Sequence, residues 1–264
     1  MQVKALYTEH VKILVSNDDG VFSPGIHALA LAMSRIADEV LIVAPDVEQS
    51  ASGHAITLRR PLRYKTTKLE NLPSNVTAFR VDGTPADCVM LGVHHGGKPD
   101  AVVSGINLGS NLGFDVTSSG TVAAALEATS LAVPAIAFSL QLGDDDLDFS
   151  EAATFAEKLV PQIVAEGLPA QTLLNVNVPS STAKGVRLAK LSTHNWDDGF
   201  DERTDPNGET YFWLTGTLVG SDEPDTDFST VRDGYIAVTP LHLDMTHHSY
   251  FSRLAELVPG LEPS

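Results

Sequence analysis

Residues 12–45 read KILVSNDDGVFSPGIHALALAMSRIADEVLIVAP, and this stretch decides the fold class. Its opening KILVS is a short apolar run of the kind that forms a parallel strand buried on both faces. A turn containing Gly and Pro follows, after which Ile26, Leu29, Ala30 and Met33 mark the apolar face of a helix. Pro24 suits the start of that helix, because its fixed φ and missing N–H cost little there. VLIVAP (40–45) is a second strand of the same kind. Strand, helix and strand in succession are the unit of a parallel α/β sheet.

The pattern continues outward from this unit. After a polar loop at 46–54, the alternation and prolines of AITLRRPLRYKT (55–66) predict an antiparallel excursion. AVVSG (101–105) reads as a central strand, TVAAALEATSLA (121–132) as a helix and PAIAFSL (134–140) as a strand. Residues 151–166 form an amphipathic helix and LLNVNVP (173–179) a further strand. The expectation is a three-layer α/β fold around a largely parallel sheet.

Beyond about residue 185 the pattern changes. VRLAKLS, TYFWLTG and GYIAVTPL are short β-like runs separated by acidic, Gly-rich and Pro-rich segments. Residues 1–185 are therefore expected to form the catalytic core, and 186–264 a β-rich extension with a C-terminal oligomerisation element, within one structural domain. The acidic runs Asp144–Asp146 and Asp222–Asp227 are expected as solvated loops.

Composition bounds the function. The 264 residues are long enough to bury a sizeable core, and 43% hydrophobic with 19% charged residues is the balance of an ordinary folded protein. With 34 acidic against 17 basic residues the formal net charge is −17, a surface that repels nucleic-acid backbones and anionic membranes. It also repels a small phosphate ester, so a phosphate site here needs local positive potential from a metal or from backbone N–H groups. The single cysteine, Cys88, excludes an intrachain disulfide, fits a reducing compartment and is expected as a buried core thiol. MQVKALYTEH lacks the apolar stretch of a signal peptide, and the run Val122–Leu140 is broken by Glu127 and Pro134 into two elements. A cytoplasmic protein with no membrane span is expected.

In an open α/β sheet, ligands bind outside the carboxyl ends of the strands. Three loops leave that edge. Ser16-Asn17-Asp18-Asp19-Gly20 follows the first strand and puts two adjacent carboxylates at a buried strand end. A bound cation is the cheapest way to keep both ionised, the plainer alternative being one Asp as a helix cap with the other facing water. The second loop, Asp46 to His54, carries Ser50 and Ser52, residue types that elsewhere mean only turn chemistry. The third, SGINLGSNLG (104–113), is rich in Gly and Asn and leads to Ser118-Ser119-Gly120-Thr121 at the mouth of a helix. Hydroxyls and a glycine there make either an anion site, with free N–H groups and the positive end of the dipole pointing outward, or an ordinary cap. Together the loops supply carboxylates, a hydroxyl and an amide oxygen, donors that select hard cations such as Mg²⁺ or Mn²⁺. A hard metal beside a phosphate nest is a constellation for phosphoryl transfer or hydrolysis.

At these loops the sequence resembles the SurE family of 5′/3′-nucleotidases. The matching stretches are ILVSNDDGVFSPGIHAL, VAPDVEQSASGHAIT, GTPADCVMLG, DAVVSGINLGSNLG, SGTVAAALEA, LNVNVP and GYIAVTPLHLDMT, spread from residue 13 to about residue 250. The resemblance implies a Rossmann-like sheet with a swapped C-terminal element, assembled as a homodimer or homotetramer. It implies that Asp18, Asp19, Ser50 and Asn107 hold one divalent cation per subunit, Mg²⁺ or Mn²⁺. Asn111, Ser119, Gly120 and Thr121 match residues around the substrate phosphate, and His248 in DMTHHSY matches in placement a donor of the leaving-group proton. The implied substrate is a small nucleoside 5′- or 3′-monophosphate, hydrolysed by a metal-activated water, with Asp19, Asn111 and His248 as the catalytic group. The second loop departs from members that carry basic residues before the metal-binding serine, since Glu48 and Gln49 precede Ser50 here.

Competing readings are weaker in the residues themselves. A phosphatase of the haloacid-dehalogenase type shows Asp-x-Asp after the first strand, whereas Asp18 and Asp19 are adjacent. A dinucleotide-binding dehydrogenase needs G-x-G-x-x-G in that turn, which is missing. A nucleotide-binding stress protein without catalysis would keep the phosphate nest but has no need of both Asp18 and Asp19.

Overall fold

The structure is a computed structural model that describes residues 10–143, 147–193, 195–219, 223–258 and 260. Along the chain run β1 (Lys12–Ser16), α1 (Pro24–Ser34), β2 (Glu39–Pro45), β3 (Tyr64–Thr67), β4 (Val76–Val81), α2 (Pro85–Gly96) and β5 (Ala101–Leu108). There follow α3 (Gly120–Ser130), β6 (Ala135–Leu140), α4 (Ser150–Glu166), β7 (Thr172–Val178), β8 (Val186–Leu188), β9 (Asn195–Thr204), β10 (Thr210–Val219), α5 (Asp227–Arg232), β11 (Ile236–His242) and α6 (Phe251–Leu257).

Nine strands form one sheet in the order β3-β4-β2-β1-β5-β6-β7-β11-β8, and β9 and β10 pair as a separate antiparallel ribbon. The strands from β4 to β7 are mutually parallel, whereas β3 and β11 run antiparallel to their neighbours β4 and β7. The period-two alternation of each strand feeds two cores. Ile13 and Val15 pack with Ile26, Leu29 and Met33 of α1 and with Ala152, Ala156 and Val160 of α4. Leu14 points the other way, to Cys88 and Val89 of α2 and to Val122, Ala124 and Ala128 of α3. These are the three layers, with Cys88 fully buried as expected.

Helix starts follow local chemistry. The Ser23 hydroxyl accepts from the Ile26 N–H with Pro24 in the first turn, and Thr84 and Asp87 close a reciprocal capping box on α2. The excursion expected at 55–66 is shorter than its alternation suggests. Only Tyr64–Thr67 pairs, since Pro61 cannot donate to a ladder and Arg63 is tied through its backbone and side chain to Asp82.

The region after residue 185 divides in two. β8 and β11 complete the main sheet, so GYIAVTPL is part of the body. Only the β9–β10 ribbon and the C-terminal α6 stand apart as extension. β9 covers the acidic NWDDGFDERT, which composition marks as loop; its ten-residue ladder with β10 overrides that tendency. Asp144–Asp146 and Asp222 lie outside the described residues. At the other end of its run, Asp227 is not solvated: it is fully buried and accepts N–H bonds from Gly113, Ser192 and Phe228, which replace its lost water. Among the described residues no helix is long and apolar enough to cross a membrane.

Candidate active site

The site lies at the carboxyl edge of the parallel strands, as the strand order requires. β1 delivers Asn17, Asp18 and Asp19. The Asn17 side chain pins the turn by donating to the Gly20 carbonyl at 3.0 Å and the Ser23 hydroxyl at 2.8 Å. Asp18 is 4% exposed. Its Oδ1 accepts a hydrogen bond from the Thr121 hydroxyl, and its carbonyl accepts from Gln49 N–H at 2.7 Å, which ties the first loop to the second. Asp19 Oδ2 accepts from the Leu108 N–H at 3.1 Å, which ties it to the third.

β5 reaches the site through an irregularity. Its register with β6 shifts between Ser104 and Asn107, at Gly105. Gly105 has φ +124°, and a Cβ there would stand 2.2 Å from the Phe138 carbonyl oxygen, so no other residue fits without rearrangement. Beyond the bulge Asn107 rejoins the ladder opposite Ser139, with its Oδ1 3.3 Å from the Thr121 hydroxyl that also touches Asp18. Thr121 thereby joins two of the expected metal ligands.

The start of α3 is packed against Asp18. Its Ser119 hydroxyl caps Val122 N–H at 3.1 Å, and the backbone N–H groups of Gly120 and Thr121 act on the Asp18 carboxylate. A Cβ on Gly120 would stand 2.7 Å from Asp18 Cβ, 2.9 Å from Asp18 Oδ2 and 2.9 Å from Ser52 Oγ. The positive end of the helix therefore faces a carboxylate of the protein itself, a use of the dipole that the sequence reading assigned to the substrate. Ser52 Oγ is buried and has no hydrogen-bond partner among the described residues.

Electrostatics mark the pair. Burial pushes the Asp18 carboxyl above its usual value, partly opposed by the Thr121 hydroxyl and the backbone around it. Burial and then the Asp18 charge raise Asp19 to about 6, with Glu48 adding in the same sense and the Leu108 N–H opposing. Among the described residues no cationic side chain is among the groups acting on either carboxylate. Among the described residues no cluster of three or more His, Cys, Asp or Glu is placed for a metal, so the candidate set is two carboxylates completed by a hydroxyl and an amide. Ser50 shares a cleft of about 580 Å³ with Asp19, Asp46, Glu48, Phe22 and Leu108, and its hydroxyl donates to Glu48 at 2.7 Å.

The structure thus interlinks Asp18, Asp19, Asn107, Gly120 and Thr121, and sets Ser50 in the cleft beside Asp19. Asn111 lies deeper, 7% exposed, bonded to β6 and β7. His248 is elsewhere in character. Its side chain is 68% exposed in the turn before α6, and its Nε2 lies 2.8 Å from Asp244 Oδ2. No hydrogen bond among the described residues joins it to the three loops. The hydrogen bond from Thr246 and the one from His248 hold Asp244 below the usual carboxylate range. Sequence reasoning named Ser52 only as turn chemistry and gave no role to Ser139, Asn175 or Asn177. The signal for the last two was available: two Asn at i and i+2 in an otherwise apolar strand share one buried face.

A three-layer α/β protein that gathers hard oxygen donors at the carboxyl edge of its parallel strands is the class defined by fold and site together. The model of the family described as Survival protein SurE matches residues 13–198. The chain belongs to the SurE family. It is 55% identical over 253 residues to 5′-nucleotidase SurE 1 of Thermus thermophilus, covering 96% of this chain and 100% of that one. It is 49% identical to 5′-nucleotidase SurE of Deinococcus radiodurans, covering 95% and 94% of the two chains. The crystal structure of the SurE protein from Aquifex aeolicus is similar with a TM-score of 0.78 at 38% identity, covering 93% of this chain and 99% of that one.

Proposed function

We propose that this protein is a metal-dependent 5′-nucleotidase that hydrolyses nucleoside monophosphates to nucleoside and phosphate. The observation that carries the reading is the Asp18–Asp19 pair, held side by side at a strand end with no cationic side chain acting on it among the described residues. Such a pair is costly unless a cation joins it. The donors present fit a hard divalent ion: two carboxylates, the Ser50 hydroxyl and the Asn107 amide oxygen, beside the orphaned hydroxyl of Ser52. The relatives' names as 5′-nucleotidases support the same substrate class.

Asp18, Asp19, Ser50 and Asn107 would hold one Mg²⁺ or Mn²⁺. When bound, the ion supplies a lowered pKa for water and polarises a phosphoryl oxygen. Thr121 fixes the rotamer of Asp18 and keeps Asn107 beside it, while the Leu108 N–H orients Asp19. Asn111 is assigned to the equatorial phosphoryl oxygens, where fixed donors stabilise developing charge. Ser119, Gly120 and Thr121 at the start of α3 border that phosphate, while their bonded donors hold the helix start and Asp18 in place. The cleft beside Asp19 offers exposed Phe22 and Leu108 as apolar surface for a nucleoside. His248, oriented by Asp244, is the proposed donor of the proton to the leaving oxygen; unchanged nucleotide turnover in His248→Ala removes it from that role.

We further infer a homo-oligomer, dimer or tetramer, supported by the exposed aromatic side chains Phe200, Phe212 and Trp213 on the ribbon and Leu254 and Leu257 on α6. A cytoplasmic location is supported by the lone, buried thiol of Cys88.

The decisive experiment is a panel of nucleoside monophosphates assayed with Mg²⁺, Mn²⁺ and a chelator. Turnover that requires metal, and that falls at least about 10³-fold in Asp19→Asn with the fold retained, is expected. Metal-independent turnover, or full activity in Asp19→Asn, overturns the reading.

A further inference from the structure

Asn111 is bonded through its backbone and its side chain to residues to which the sequence reading assigned no role. Its backbone N–H donates to Asn177 Oδ1 at 2.8 Å. Its carbonyl oxygen accepts from Asn175 Nδ2 at 2.9 Å and from Asn177 Nδ2 at 3.0 Å. Its own side-chain Nδ2 donates to Ser139 Oγ at 2.8 Å. Asn175, Asn177 and Ser139 are all fully buried. Asn177 and Ser139 stand opposite one another in the β6–β7 register, and Asn175 is the next residue on the same face of β7.

Three buried polar side chains on neighbouring strands are expensive, since each gives up its water for at most the hydrogen bonds it finds. Apolar residues would fill the same sheet positions at lower cost. What the polar ones provide is specific to Asn111. Asn177 uses both ends of its amide on one residue, accepting from the Asn111 N–H and donating to the Asn111 carbonyl, which admits a single amide orientation and fixes the loop backbone there. Ser139 takes one of the two side-chain N–H bonds of Asn111, which sets the plane of that amide and leaves its second N–H and its Oδ1 for another partner. The irregular loop after β5 is thus anchored at the residue whose amide the nucleotidase reading assigns to the phosphoryl group.

We propose that Ser139, Asn175 and Asn177 are positioning residues for phosphoryl transfer, holding the Asn111 amide in the orientation that receives the transferred phosphoryl group. The inference rests on the nucleotidase reading and adds to it a support layer built from β6 and β7. A donor held in place before reaction costs no reorganisation as charge develops, so loosening it affects kcat more than substrate or metal binding.

The test is a double-mutant cycle on the full-length protein with a nucleoside monophosphate and saturating metal. Ser139→Ala deletes one oxygen and is expected to lower kcat about tenfold, with KM and metal Kd within about twofold of wild type. In an Asn111→Ala background the same Ser139→Ala change is expected to cost less than about twofold, because the group it positions is gone. Asn177→Asp keeps the acceptor for the Asn111 N–H and loses the donor to its carbonyl, and is expected to lower kcat in the same way. Should the added carboxylate prevent folding, the Ser139 cycle stands by itself. An unchanged kcat in Ser139→Ala, or a tenfold loss that persists without Asn111, overturns the role. Wild-type protein with no turnover on any phosphate ester overturns the nucleotidase reading instead, and this inference with it.

Discussion

β6 and β10 are both strongly apolar strands, yet the protein treats them in opposite ways. In β6, AIAFSL, every residue is buried and Phe138 is completely enclosed. In β10, TYFWLTGTLV, Phe212 is 58% and Trp213 60% exposed, and across the ribbon in β9 Phe200 is 71% exposed. Apolar, β-forming residues explain why both segments become strands. They do not explain burial, which depends on what the topology lays against each face. β6 has strands on both sides and helices above and below. β9 and β10 pair only with each other among the described strands and touch the body at the short segment Gly113–Thr117, and a two-stranded ribbon is marginal without a surface to cover it. The body thus encloses its apolar residues in its own core and gathers polar ones at a site, whereas the ribbon leaves its aromatic residues exposed.

Glycine substitutions give the sharpest contrast between the two regions. Gly120→Ala in the body would drive a methyl group against the Asp18 carboxylate and Ser52. A displacement of that order in a catalytic group is expected to reduce kcat/KM by about 10²-fold. Gly199→Ala in the ribbon meets the Thr215 hydroxyl at 3.3 Å, which can rotate away, and the Thr215 carbonyl oxygen at an ordinary 3.9 Å, so activity should stay within about twofold. Equal losses in steady-state assays would erase the distinction.

Core truncation measures the same difference in stability. Phe138→Ala should cost about 3–5 kcal/mol in chemical denaturation, the usual range for a fully buried Phe. Trp213→Ala should cost less than about 0.5 kcal/mol in the isolated chain. A concentration-dependent cost at Trp213, with a shift to a smaller species in sedimentation, would place the ribbon inside an interface.

Titration offers the smallest and most diagnostic effect, because the two regions carry opposite signs. Asp19 holds its proton in the folded, metal-free protein up to about 6, against a reference value of 3.8. Its contribution to stability is therefore full below about pH 4 and lost as pH rises through 6. Metal binding competes with that proton, so the rise in Tm on adding Mg²⁺ should be larger at pH 7.5 than at pH 5. Asp205 in the ribbon turn is held below the usual carboxylate range by the Glu209 N–H. Its small, exposed contribution is present above the usual carboxylate range and lost as pH falls. A metal shift in Tm that is the same at both pH values would remove Asp19 from the ion's ligands.

Much of this was legible in the residues. The apolar runs at 12–16, 40–45, 101–105, 134–140 and 173–179 announced their strands, because a strand buried on both faces must be apolar throughout. Asp18 and Asp19 announced a charge problem, since two adjacent carboxylates at a buried strand end need a partner wherever they are found. β9 was hidden, because its acidic composition argues for loop and only the ladder with β10 makes it a strand. The burial of Asp227 was hidden for a similar reason: its N–H donors come from Gly113 and Ser192, distant in sequence.

The sequence by itself therefore determined the layered α/β class, the loops that carry chemistry and the family to which the chain belongs. These follow from local periodicity and from residue types whose cost is local. Only the tertiary structure decided that α3 faces Asp18, that Thr121 joins Asp18 to Asn107, and that Asn175, Asn177 and Ser139 clasp Asn111. Each of these is a hydrogen bond between elements, and a hydrogen bond is set by a few tenths of an ångström and an angle that no single segment contains.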